Sequence, residues 1–313
     1  MDVSAFVDFR NKLVENCRKV IVGKDEVIEQ LVVCLIASGH VLLEDVPGTG
    51  KTMLLRAFAR SIGADFRRVQ FTPDLLPSDL TGINFFNQKS GEFEFRPGPL
   101  FSQIILADEI NRATPRSQSA LLEVMEEKQI SVDGKSYKMT EPYMVMATQN
   151  PIENYGTFPL PEAQMDRFLM RLSLGYMSRE QELGVLKRPD SKQLLEELSP
   201  VVEAETLNAL RATYPKVRVD DEVAGYIMDI VSATRDSSLL SCGVSTRGSL
   251  ALYRCCQIYA AVNGRDFVIP EDVKAEAMCV LPHRVILVGN SHLDDRHFVA
   301  NLLDELAVPL EKL

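Results

Sequence analysis

The chain of 313 residues carries 34 Lys and Arg against 44 Asp and Glu, a formal net charge of −10, which argues against a general nucleic-acid surface because neutralising phosphates needs a local excess of Lys and Arg. An apolar fraction of 46% with 25% charged residues is that of a soluble globular protein, and the length exceeds what one hydrophobic core usually serves, so two packed units are expected. The apolar run VIEQLVVCLIASGHVLL is broken by Glu29, Gln30 and His40, and the opening MDVSAFVDFRNKL lacks the charged-then-apolar layout of a signal peptide; the sequence predicts no membrane span and a cytoplasmic location.

In chain order, the first half alternates between short apolar runs and helical patterns. Buried strands are expected at VLLED (41–45), FRRVQF (66–71), QIILADE (103–109), YMVMAT (143–148) and FLMRLSL (168–174), with helices such as TMLLRAFARSIG and TPRSQSALLEVMEEKQ between them. Strand, crossover helix and strand in repetition imply an α/β fold with a parallel sheet covered on both faces. Two interruptions read as hairpins: GINFFNQKSGEFEFRPG (82–98) around Ser90-Gly91, and ISVDGKSYKM (130–139) around Asp133-Gly134. From about Ser178 the period is near 3.6 residues, as in DDEVAGYIMDIVSATRD and STRGSLALYRCCQIYAAVNG, so a domain boundary is placed near 177, with an all-helical unit over 178–313. Cys17, Cys34, Cys242, Cys255, Cys256 and Cys279 form no C-x-x-C pair and read as reduced core cysteines; His40, His283, His292 and His297 make no metal-ligand spacing.

Chemistry concentrates after the first strand, in EDVPGTGKT. Gly48 and Gly50 let backbone N–H groups turn toward an anion, Lys51 can reach the β and γ phosphates, and Thr52 offers a hydroxyl to Mg²⁺. Lys51 also stands at the positive end of the helix that follows, an unfavourable place for a cation unless an anion lies opposite. The stretch Pro47, Gly48, Thr49, Gly50, Lys51, Thr52 and Met53 is therefore the expected nucleotide-binding segment. The phosphate-loop pattern asks for glycine where Asp45 stands; the departure removes no phosphate-contacting group if Asp45 ends the strand and Pro47 fixes the next bend. A second buried strand, IILADE, ends in Asp108 and Glu109. Asp108 is expected to hold Mg²⁺ through its water shell, and Glu109 to orient and deprotonate the attacking water.

EDVPGTGKT, LADEINRATPRSQSALLEVMEE, MATQNPIENYGTFPLPEAQMDRF and GVSTRG together resemble the MoxR family of AAA+ ATPases, over about residue 20 to the C-terminus. The resemblance implies an αβα AAA+ core with a five-stranded parallel sheet and a helical lid, an ATP site shared between neighbouring subunits, and a hexameric ring. It implies that Asn150 is the first sensor, Arg167 an arginine finger reaching a neighbour's γ-phosphate, and Arg247 the second sensor; a turn-forming Asn150 and an Arg167–Asp166 ion pair are the plainer readings of two of these. Val22 and Gly23 resemble the segment that contacts adenine, and Arg112 and Arg116 face either an adjoining subunit or solvent. The function so implied is Mg²⁺-dependent ATP hydrolysis that remodels, matures or assembles a partner complex, with a protein client and a von Willebrand factor A domain partner, in a family whose members sometimes help load a metal or cofactor. Two alternatives stay open: a nucleic-acid-stimulated motor, and a nucleotide-switched scaffold with slow turnover.

Overall fold

A computed structural model describes residues 1–45, 48–149, 156–188, 191–289 and 294–309. Five strands form one parallel sheet: β1 (Val41–Glu44), β2 (Phe66–Gln70), β3 (Ile104–Asp108), β4 (Met144–Gln149) and β5 (Met170–Leu172), in spatial order β2-β3-β4-β1-β5. Each central strand is apolar on both faces, as a sheet covered on both sides requires. The period-2 alternation divides it cleanly: Val41, Leu43, Ile104, Leu106, Met144 and Met146 join one core, while Leu42, Ile105, Ala107, Val145 and Ala147 join the other.

The first face is covered by helices α1 (Ser4–Arg18), α2 (Asp25–Ile36) and α3 (Lys51–Ser61); the second by α4 (Pro115–Glu127), through Leu121, Leu122, Val124 and Met125. His40, just before β1, ties the layers. Its Nε2 meets the Met125 carbonyl at 3.0 Å and its Nδ1 accepts from the Val145 amide at 3.0 Å, so the ring is neutral, and burial pulls its pKa down to about 4.

Beyond α5 (Arg179–Leu186) the chain is mainly helical, with α6 (Asp221–Asp236), α7 (Thr246–Val262), α8 (Pro270–Val280) and α9 (Asp295–Glu305) as its longest pieces. These helices share the core of α1–α3 rather than closing a separate one. One departure from the all-helical expectation is an antiparallel pair, Leu240–Cys242 with Ile286–Leu287. Segments of two or three residues are too short to register as a period.

Both expected hairpins form. Gly82–Asn87 pairs with Glu92–Pro97, and Gln129–Val132 with Lys135–Lys138, the latter turning through Asp133 and Gly134 at φ +48° and +79°. They pack on one another: the Phe95 and Tyr137 rings stack at 4.6 Å, and the Asn84 amide donates to the Asp133 carboxylate at 2.5 Å. The far end of the longer hairpin is exposed, with Phe86 and Phe93 edge to face at 5.4 Å. Cys17, Cys34, Cys255 and Cys256 are buried, but Cys242, expected in the core, is exposed on the short Leu240–Cys242 strand and Cys279 is half-buried; none of the six forms a disulfide. Among the described residues no cluster of His, Cys, Asp or Glu is arranged to hold a metal ion, and no helix is long and apolar enough to cross a membrane.

Candidate functional site

The loop between β1 and α3 turns through Gly48 and Gly50, both left-handed at φ +85° and +86°. A Cβ on either would meet no atom within 4 Å, so backbone conformation rather than crowding requires glycine. This geometry aims the first-turn amides of α3 outward, and the helix dipole adds positive potential at the same place. Lys51 opens α3, and its ammonium donates to the Asp45 carbonyl at 3.2 Å. Pro47 lies outside the described residues.

Asp45 is not merely tolerated. Its buried carboxylate accepts from the Ser173 hydroxyl at 2.8 Å and from the Leu174 and Gly175 amides at 2.7 and 2.9 Å. From the opposite side, the buried Lys24 ammonium donates to the carbonyls of Leu174, Gly175 and Tyr176 at 2.5, 3.2 and 3.2 Å. The chain leaving β5 is thus gripped by an anion on its amides and a cation on its carbonyls, which fixes it beside the phosphate loop.

The end of β3 is organised as tightly. Glu109 adopts a left-handed conformation at φ +56°, unusual for a residue with a side chain, and its amide donates to the Thr148 hydroxyl at 2.8 Å. That hydroxyl in turn donates to Asp108 Oδ1 at 2.7 Å. In-register pairing of Gln70 with Asp108 brings β2 alongside: the Arg68 guanidinium grips Asp108 Oδ2 at 2.6 and 2.9 Å, and the Gln70 amide donates to Glu109 Oε2 at 2.6 Å. Arg112 Nε reaches the same Glu109 oxygen at 3.2 Å. Arg116 stands exposed in the first turn of α4.

These groups share one cavity of about 430 Å³, lined by Gly48–Met53, Asp108, Glu109, Arg56, Arg68 and Thr148. Thr52 and Asp108, a hydroxyl and a carboxylate on the same cavity, are the hard oxygen donors a hydrated Mg²⁺ takes. A second, more apolar cavity adjoins it across Gly48 and Thr49, walled by Tyr176, Met177, Val185 and Leu186. Half-buried Val22 and exposed Gly23 do not line it; a Cβ on Gly23 would run into Gln181 of α5, the helix that supplies Glu182, Val185 and Leu186.

Arg167 and Arg247 are placed elsewhere. Neither lines the phosphate cavity of its own chain; they meet at Glu126 near the end of α4, Arg167 Nε on Oε2 at 3.0 Å and Arg247 Nη2 on Oε1 at 2.5 Å. Arg167 does not pair with its neighbour Asp166, which instead takes Arg284 Nε at 2.7 Å and the Ser245 hydroxyl at 3.1 Å. Ser245 caps α7 by accepting from the Gly248 amide, so Arg247 projects from the first turn. Asn150 lies outside the described residues.

Residues 40–170 match the ATPase family associated with various cellular activities, and residues 232–305 match the AAA lid domain. The chain is 39% identical to the chaperone MoxR1 of Mycobacterium tuberculosis, over 94% of this chain and 80% of that one. It is 31% identical to the protein MoxR of Methylorubrum extorquens, over 86% and 85%. The chain belongs to the MoxR family of AAA+ ATPases. A solved structure from Cytophaga hutchinsonii superposes with a TM-score of 0.89 at 38% identity, covering 98% of both chains. As a member of this family the chain is an ATPase, and an αβα core with a lid is its shared architecture.

Several residues around the site escape a motif reading. Arg68 and Gln70 sit two apart on a strand, a spacing that puts both on one face, but only the sheet order brings that face to Asp108 and Glu109. Lys24, Thr148 and Glu126 carry no local signal. Their partners lie 39 to 152 residues away in sequence.

Proposed function

We propose that the chain couples Mg²⁺-dependent ATP hydrolysis to remodelling or assembly of a protein client, working as a ring of identical subunits, six by the family resemblance, with a von Willebrand factor A domain protein as partner. The observation that supports the nucleotide chemistry is the convergence of Gly48–Thr52 with Asp108 and Glu109 on one cavity. In this reading the Gly48–Gly50 backbone and Lys51 bind the phosphates, and the apolar wall of Tyr176, Val185 and Leu186 takes the base. Thr52 and Asp108 would hold Mg²⁺, which when bound neutralises phosphate charge. Glu109 takes the proton from the attacking water. Its contacts with Gln70 and Arg112 both fall on Oε2, which leaves Oε1 to accept from water. Arg167 and Arg247 stabilise charge on the phosphoryl group bound by a neighbouring copy, which fits their position away from their own cavity.

The client side of the proposal draws on two observations. The relative named a chaperone is similar over most of its length, and the paired hairpins present Phe86 and Phe93 to solvent, 52% and 75% exposed. The hairpin carries Lys89 and Arg96 against Glu92 and Glu94, a balance that does not favour nucleic acid. Glu109→Gln tests the coupling. The variant should bind ATP, turn it over about 10²- to 10⁴-fold more slowly and retain client on affinity purification, with the client released from the wild type by ATP. Full cellular function in a variant that no longer hydrolyses ATP would replace the remodeller with a nucleotide-switched scaffold. ATPase stimulation by DNA, strong and salt-sensitive, would replace it with a nucleic-acid motor.

A further inference from the structure

Glu126 holds two cations that come from different parts of the chain. Arg167 follows the short Glu162–Met165 helix of the sheet domain, Arg247 stands in the first turn of lid helix α7, and each takes its own oxygen of the single carboxylate. All three side chains are accessible, at 31%, 51% and 37% of their surfaces for Arg167, Arg247 and Glu126. Arg284 is buried, bonded to Asp166 and to the carbonyls of Phe168, Leu169 and Val280, and closed to any ligand.

Two guanidinium groups on one carboxylate leave the exposed cluster one positive charge in excess. A terminal phosphate brings up to two negative charges and three acceptor oxygens, and guanidinium forks match it better than they match a carboxylate already shared. Because neither arginine lines its own chain's phosphate cavity, that phosphate must be delivered by another molecule. We infer that Glu126 is a positioning residue: it holds Arg167 and Arg247 side by side as a seat for the terminal phosphate of nucleotide bound to a second copy of this chain, and is displaced when that phosphate arrives. Glu126 thereby sets how strongly nucleotide drives self-association. The inference rests on the ATPase reading above and adds to it a residue that opposes assembly until nucleotide is present.

The test is self-association of the full chain by sedimentation velocity, with and without a slowly hydrolysed γ-thiophosphate analogue of ATP. Glu126→Gln, near-isosteric and half exposed, should lower the protein concentration for half-assembly roughly 3- to 10-fold with the analogue, the worth of two half-exposed ion pairs, and leave it unchanged without. Glu126→Asp, too short to reach both arginines, should shift it less. In an Arg167→Ala/Arg247→Ala background the gain should vanish. The inference is overturned by an unchanged half-assembly concentration, by an equal shift without nucleotide, by a gain that persists in the arginine-free background, or by a wild type that binds the analogue and stays monomeric. A wild type that does not bind the analogue would bring down the ATPase reading itself.

Discussion

The phosphate cavity takes its charged and hydroxyl groups from the sheet domain, mostly from two short runs, 48–53 and 108–109, whereas the seam between sheet domain and lid assembles Glu126, Asp166 and Arg167 from one side with Ser245, Arg247 and Arg284 from the other. In the cavity the acids are restrained from within the same domain, Asp108 by Thr148 and Arg68, Glu109 by Gln70 and Arg112. In the seam one arginine is sealed in and two are left half exposed. On the function proposed above, the difference separates two tasks: a single chain is furnished to bind nucleotide, while the groups that would stabilise a transferring phosphoryl group are presented outward.

Four substitutions would break or sharpen that contrast. Lys51→Ala should carry the largest effect, loss of measurable ATP binding by calorimetry; unchanged affinity would mean that the cavity is not the nucleotide site. Arg284→Ala removes the cation paired with Asp166 and a donor from three backbone carbonyls in a largely buried place, and should cost about 3–5 kcal/mol of stability in denaturant unfolding. Glu276 in α8 is a buried lid carboxyl: its Oε1 accepts from Gln30 at 2.9 Å, its Oε2 meets no partner among the described residues, and burial pushes its pKa up to about 8. The folded chain therefore holds a proton that the unfolded chain releases near pH 4.5, so stability is fullest below that pH and falls as pH rises toward about 8. Glu276→Gln should flatten this slope and stabilise the protein at pH 8 by about 2–4 kcal/mol; an unaltered pH profile would show that the carboxyl is not buried. Arg247→Ala should have the smallest effect on folding, within about 1 kcal/mol, since its ion pair is half exposed. A loss as large as that of Arg284→Ala would make it structural.

Much of the fold is legible in the sequence because most sheet strands are short apolar runs between helical patterns, and the hairpin turns carry Ser90-Gly91 and Asp133-Gly134; FRRVQF, expected as a buried strand, is instead an edge strand with Arg67, Arg68 and Gln70 exposed. The phosphate loop is legible because its parts are contiguous. Asp45 shows where legibility ends: read against a motif it is a missing glycine, yet its carboxylate secures a segment 128 to 130 residues downstream. Glu126 sits in EVMEE, where it looks like any solvated helix acid, and only the fold, which brings the first turn of α7 near the end of α4, gives it Arg247. Long-range electrostatics of this kind leave no period and no spacing to detect.

The central claim is that Arg167 serves the nucleotide of a neighbouring copy, and subunit mixing addresses it most directly. Arg167→Ala chains and Glu109→Gln chains, each inactive alone, should recover hydrolysis when combined, because some interfaces then unite an intact Arg167 with an intact Glu109. Recovery at the level expected for random mixing is the predicted result. Co-sedimenting mixtures that show no hydrolysis would contradict the account.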